Sequence, residues 1–345
     1  MSLIKRLRLL AIPLLAAALS PPVAPVQAQS GGEGGFQGYL QLLAARARAE
    51  GVSESTIMRM TSGLTYNPRV IALDRAQPGA NPNVTPPYEP YRRNHMDAAR
   101  IAGGRRVYAS LGGLIPQVER QYGVPASVIL SIWGNETNYG NYTGDFDLAR
   151  SLATLAYEGR RRELFSSEFI ALLKMVDQGV PVYRLKGSWA GAFGNPQFLP
   201  SVYLRTAVDG DGDGDRDIWT SRADTLASIA NYFRDAGWRP GEPWGVRASV
   251  PSGMNLSTLP PRIVSSSCAR VHARHSQWRS VSEWRRMGVT PRGSIGDNTM
   301  ATLFQPDGAG TAAFLLTGNY RVILQYNCSN YYALTVGLLA DEIAN

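Results

Sequence analysis

The chain is poor in the residues that most often announce a chemistry. Three histidines in 345 residues leave little material for a Ser-His-Asp triad. Cysteine is scarcer still, with Cys268 and Cys328 alone. If Cys268 sits in a disulfide, the loose zinc-like grouping of Cys268, His272 and His275 in "CARVHARH" loses its thiolate. The apolar run Leu9 to Leu19 is too short to span a bilayer. No internal repeat and no low-complexity tract breaks the chain, apart from one aspartate-rich stretch. Charge is modest. The formal excess is +8, and three of those positives, Lys5, Arg6 and Arg8, lie in the first residues. The +5 left without them is too little to argue for nucleic acid.

What is present reads as a globular protein, with 44% hydrophobic and 18% charged residues. The basic start, the short apolar run and "VQA" at Val26 to Ala28 predict a secretory signal over 1–28, cleaved near Ala28. An uncleaved anchor is the alternative. No cysteine near the cut offers a lipid-attachment site, so a soluble periplasmic protein is expected. In an exported chain, two cysteines invite one Cys268–Cys328 disulfide, with two buried thiols as the alternative.

The expected fold class is α+β, predominantly α. Residues 29–94 read as a helical segment, with Gly51 as a stop and Ser53 as a cap, together with the proline-rich connector "AQPGANPNVTPPYEPY". Helical spacing dominates 95–245. Residues 246–320 alternate short apolar runs with Pro, Gly and Ser, as a small β-rich unit does. Residues 321–345 return to helix, with Ser329 as a cap.

In "YGVPASVILSIWGNETNYG", Pro125 occupies the first turn of a predicted helix, and Gly140 lies just past its end. Val128, Ile132 and Glu136 share one face of it. A carboxyl on an apolar face keeps its proton to higher pH, as a general acid requires. The alternative is a glutamate that swings to solvent at a fraying end. A glycosidase normally needs a second carboxylate. Asp145, Asp147 and Glu158 are nearby, but none has a spacing that compels pairing.

The segments "SIWGNETNYG", "RRRELFSSEF", "KGSWAGAFGNPQFLPSVY", "IWTSRADTLASIANYFRDAGW" and "YRVILQYNCSNYYALTVGLLAD" resemble, in order, the membrane-bound lytic transglycosylase B family of bacterial cell-wall enzymes. The resemblance covers most of Arg69 to Ala344. It implies a lysozyme-like catalytic core. It also implies cleavage of the MurNAc–GlcNAc β-1,4 bond of peptidoglycan, with the sugar's own 6-hydroxyl in place of water, to a 1,6-anhydroMurNAc end. Glu136 would act as acid and then as base, and the substrate's N-acetyl oxygen would replace the missing carboxylate. By the same resemblance Ser188 orients the N-acetyl group or the carboxyl, and Gln197 lines the sugar cleft. Tyr326 and Asn327 form a pair at the site, and Arg160 and Arg161 lie near the peptide stem. The chain departs from the family at Cys328, Tyr139 and Asn141. Expected partners are glycan strands, with cell-wall synthesis enzymes as further candidates, for a monomer. A hydrolytic goose-type lysozyme and a non-catalytic peptidoglycan-binding protein are the competing readings.

The stretch "VDGDGDGDRDIW" places five aspartates in nine residues. With Asp209 as the first position of an EF-hand-like loop over 209–224, Asp211, Asp213 and Asp215 take alternate positions, and Gly214 supplies the turn. The usual bidentate glutamate is Thr220 here. The expected cofactor is therefore a structural Ca2+ held by Asp209, Asp211, Asp213 and Asp224, with the carbonyl of Asp215. A solvated acidic turn is the alternative. No organic cofactor is expected.

Overall fold

Capping chemistry sets many of the helix boundaries. The computed structural model describes residues 33–77, 86–254 and 268–345. The expected signal segment 1–28 and part of the connector lie outside them. Helix Glu33–Ala49 stops before Gly51, and the Ser53 hydroxyl accepts from the Thr56 N–H at 3.3 Å to start Glu54–Thr61. The connector was read as extended to Tyr91, but helix Tyr88–His95 begins right after Pro87. Proline suits a helix start, because no N–H is lost there.

Helix Ala126–Thr137 is buried on nearly every side by Val128, Ile129, Leu130, Ile132 and Trp133, as a central core helix must be. It lies against the C-terminal helix Asn330–Ala344, whose residues are also mostly buried. The Ser131 hydroxyl donates to the Val336 carbonyl at 2.6 Å and ties the two together. Two glycines allow close approach. A Cβ on Gly134 would lie 2.6 Å from the Tyr139 ring, and one on Gly337 would lie 2.4 Å from Trp244. Helices Leu148–Glu158 and Arg162–Asp177 form a neighbouring pair, covered by Glu33–Ala49.

A five-stranded antiparallel sheet lies beyond this core. Its order is Arg279–Ser280, Met300–Phe304, Ala313–Leu316, Gly245–Ser249, Thr290–Pro291. Side chains alternate between its faces. Leu303 and Leu315 join Trp284, Val281 and Val289 in a small separate core, while Phe304, Phe314 and Leu316 enter the main one. The β-rich reading extended to Tyr320, but a helix, Gly318–Tyr326, begins two residues earlier. The Thr317 hydroxyl caps it through the Asn319 N–H, and its Val322 and Ile323 are buried. That burial overrides the strand preference of β-branched residues. Cys268 and Cys328 form a disulfide, with Cα atoms 5.7 Å apart. Among the described residues, no helix is long and apolar enough to cross a membrane.

Candidate active site

Glu136 sits in the last turn of Ala126–Thr137 and does not swing to solvent. Asn138 and Tyr139 follow it with φ of 50° and 59°, so the chain turns sharply out of the helix. Tyr139 then folds back over Gly134, and its hydroxyl donates to the Arg100 carbonyl at 2.9 Å. Burial pushes the Glu136 carboxyl up to about 7, and the Tyr332 hydroxyl, donating to Oε1 at 2.5 Å, pulls it part of the way back. No carboxylate among the described residues bears on its charge. Asp147 instead caps helix Leu148–Glu158 through the Arg150 N–H, and Glu158 pairs with Arg75.

Tyrosines line the surroundings. Tyr91, Tyr326 and Tyr332 all feel the Glu136 charge, and burial raises all three phenols above their ordinary range. They stay neutral, so Tyr332 remains a hydrogen-bond donor. Tyr326 donates to the Pro196 carbonyl at 2.5 Å. Its neighbour Asn327 is exposed where the helix ends.

The loop carrying Ser188 and Gln197 is knotted to itself and to the acid helix. The Ser188 hydroxyl accepts from the Ala192 N–H at 3.0 Å. Gln197 has φ of 54°, and its amide nitrogen donates to the carbonyls of Thr143 and Gly194. Between them lies a residue the sequence reading missed, Asn195, which is buried. Its Oδ1 accepts from the Trp133 indole at 3.0 Å, and its carbonyl accepts from the Thr137 hydroxyl at 3.1 Å. Its amide nitrogen donates to the Trp219 carbonyl at 3.0 Å. One side chain therefore joins the acid helix to the segment that leaves the aspartate loop. Tyr91, Asn195 and Tyr332 gave no local signal, because their partners are far away in sequence.

Arg160 and Arg161 lie apart from these tyrosines in their contacts. Each places a guanidinium nitrogen on Asp74, at 2.5 and 2.7 Å, and Asp74 is only 1% exposed. Two guanidinium groups thus neutralise one buried carboxylate of helix Pro68–Arg75.

Asp209, Asp211 and Asp213 are exposed and offer carboxylate oxygens within 4.8 Å of one another. Asp224 is fully buried. Its two oxygens accept from the Gly210 and Asp217 N–H groups, at 2.7 and 2.5 Å, and so close the loop limb to limb. Asp215 stays outside the cluster of three. Asp217, not expected to matter, caps Trp219 and Thr220 and pairs with Arg184 at 3.0 Å. His272 and His275 belong to no metal-ligating cluster among the described residues. His275 instead contacts Asn330 at 2.7 Å.

Residues 35–341 match the family described as the transglycosylase SLT domain. The membrane-bound lytic murein transglycosylase B of Escherichia coli is 31% identical over 276 residues, which is 76% of this chain and 70% of that protein. SltB3 of Pseudomonas aeruginosa, solved in complex with NAG-anhNAM-pentapeptide, is 38% identical with a TM-score of 0.80, covering 90% of this chain and 80% of that one. The Escherichia coli lytic transglycosylase Slt35, solved in complex with calcium, is 28% identical with a TM-score of 0.72, covering 92% and 96%. The chain belongs to the lytic transglycosylases that carry the transglycosylase SLT domain.

Proposed function

We propose that this chain cuts the β-1,4 bond between MurNAc and GlcNAc of peptidoglycan without water and leaves a 1,6-anhydroMurNAc end. The observation that carries the reading is the Glu136 carboxyl, raised to about 7, with Tyr332 as its donor and no second carboxylate bearing on it among the described residues. A two-carboxylate hydrolase needs a second acid opposite the first. The acid helix supplies one, and substrate-assisted chemistry requires one.

Neutral Glu136 gives its proton to the glycosidic oxygen as the bond from C1 breaks, and the leaving sugar departs as an alcohol. The substrate's N-acetyl oxygen supports the positive charge at C1. The Glu136 carboxylate then takes the proton of the 6-hydroxyl, whose oxygen closes on C1. Tyr332, held protonated by burial, steadies the carboxylate between the steps. Ser188 and Gln197 would meet the sugar from the loop that Asn195 anchors, and Tyr326 and Asn327 would meet it from the facing helix end. Arg160 and Arg161 would reach a stem carboxylate with the nitrogens that Asp74 leaves. Export to the periplasm is part of the same reading, supported by the basic, then apolar, first residues.

The aspartate loop fits a hard divalent cation, because three carboxylates converge and all their donors are oxygens. Asp209, Asp211 and Asp213 would hold Ca2+, with the Asp215 carbonyl and Asp224 completing the loop. Calcium would supply cross-linking between the loop limbs. The test of the reaction is mass spectrometry of products released from purified peptidoglycan by wild type and Glu136→Gln. Anhydro-ended muropeptides from wild type alone are expected. Products with reducing ends would instead mean hydrolysis.

A further inference from the structure

Tyr332, the donor to Glu136, lies in the first turn of helix Asn330–Ala344, and its N–H is capped by the Ser329 hydroxyl at 3.3 Å. Where that turn sits decides where the phenol sits. Asn330 opens the turn and is buried. It is held at three atoms. Its main-chain carbonyl accepts from the Tyr320 hydroxyl at 2.9 Å, its Nδ2 donates to the Val271 carbonyl at 3.0 Å, and its Oδ1 faces His275 Nε2 at 2.7 Å. Bonds at Tyr331, Thr335 and Val336 hold the helix farther along.

The partners assign the direction of every bond in this seat. The Val271 carbonyl can only accept, so the amide nitrogen of Asn330 faces it and the amide oxygen faces His275. Nε2 of His275 therefore carries the proton. Nδ1 is left to accept from the Thr302 hydroxyl at 3.3 Å, whose oxygen accepts in turn from Arg321 Nη2 at 3.1 Å. The ring of His275 is 1% exposed and stacks on Phe304, with centres 4.7 Å apart. Burial, and after it the charge of Arg321, with His272 and Arg274 adding to it, keep this histidine neutral. Thr302 and Phe304 share one face of strand Met300–Phe304. The sheet thus reaches the start of the last helix through one histidine and one amide.

We infer that Asn330, oriented by His275, is a positioning residue for the reaction: it seats the first turn of the C-terminal helix so that the Tyr332 hydroxyl stays on Glu136. Asn330 and Tyr332 are about 3 Å apart along the helix axis, so a displaced Asn330 carries Tyr332 with it. A hydrogen bond as short as 2.5 Å tolerates little displacement. The role rests on the reading of Glu136 as the acid given above.

The test reads the carboxyl itself. The full chain is labelled with 13C at its glutamate carboxyls, the Glu136 signal is assigned with Glu136→Gln, and its midpoint is followed by NMR against pH. The other titratable groups that feel this charge, Tyr91, Tyr326 and Tyr332, stay neutral throughout. From about 7 in wild type, the midpoint should rise by about half a pH unit or more in Asn330→Ala. Asn330→Ala with Tyr332→Phe should rise no further than Tyr332→Phe alone, because both changes remove the same bond. If Asn330→Ala does not fold, His275→Phe keeps the ring on Phe304, loses the donor and should shift the midpoint the same way. His275→Gln offers an amide N–H to Asn330 and should titrate like wild type. A wild-type midpoint in both Asn330→Ala and His275→Phe would overturn the role, even with lowered melting temperatures, since the seat would then serve stability alone. A further rise in the double variant, or His275→Gln shifted as far as His275→Phe, would also overturn it. Product release by Glu136→Gln is measured separately. Activity in that variant sinks the acid reading, whereas an inactive Glu136→Gln beside an unmoved midpoint sinks the positioning role alone.

Discussion

Two opposed influences set the proton affinity of Glu136: burial raises it and the Tyr332 hydroxyl lowers it. The folded protein holds this proton up to about pH 7, whereas the unfolded chain holds it only to about 4.5. Between those values the folded state binds more protons, so rising pH removes stability through this window. Glu136→Gln should therefore gain on wild type as pH climbs from 4.5 to 7, by up to about 3 kcal/mol, read as the difference in melting temperature at each pH. An unchanging difference across the window would contradict the assignment. The same variant should lose roughly 10³-fold or more in product release. Tyr332→Phe removes the donor that lowers the pKa, so the alkaline limb of the rate profile should move upward from pH 7. Its maximum should fall about tenfold. A limb that stays in place would mean that Tyr332 does not touch the catalytic proton.

At the scale of elements, the aspartate loop and the acid helix are joined through one buried amide. Asp224 closes the loop, the chain leaves it through Asp217 to Trp219, and Asn195 passes that position to Trp133 and Thr137. Asn195→Ala would leave the Trp133 indole and the Trp219 carbonyl unpaired, at about 2–4 kcal/mol in denaturant unfolding. Its kcat should fall by more than the unfolded fraction explains, because Glu136 lies between Trp133 and Thr137 in the same turn. If only stability falls, Asn195 is a packing residue. Calcium in large excess over its Kd should add about 3–4 kcal/mol of stability at several hundred times Kd, read as a rise in melting temperature. A chelator should reverse the shift, and Asp209→Ala should abolish it. Turnover per folded molecule should change little, because the three carboxylates belong to the loop and not to the surroundings of Glu136.

At the scale of the whole molecule, the disulfide joins a segment between strands Gly245–Ser249 and Arg279–Ser280 of the small β unit to the junction of the last two helices, 60 residues apart in sequence. Cys268→Ser with Cys328→Ser should cost about 4 kcal/mol on the loop-entropy account. Unfolding midpoints with and without reductant are the check, and a reductant-insensitive midpoint would count against it. The last two helices also bring Tyr326 and Tyr332 to Glu136, so loosening them should depress activity before the protein melts. Local patterns in the chain were enough to specify the helix around Glu136, the caps at Ser53 and Ser329, the β-rich character of the unit before the last helices and the cluster of aspartates. Each of these depends on neighbours within a turn or a strand. The pairing of Tyr332 with Glu136 could not be read that way, because 196 residues separate them. The same holds for Asn195 between two distant segments, for the grip of Arg160 and Arg161 on Asp74, and for the bond between His275 and Asn330. Sequence patterns report which side chains face inward, and only packing decides which of those meet, what each hydrogen-bonds, and how far burial moves a proton.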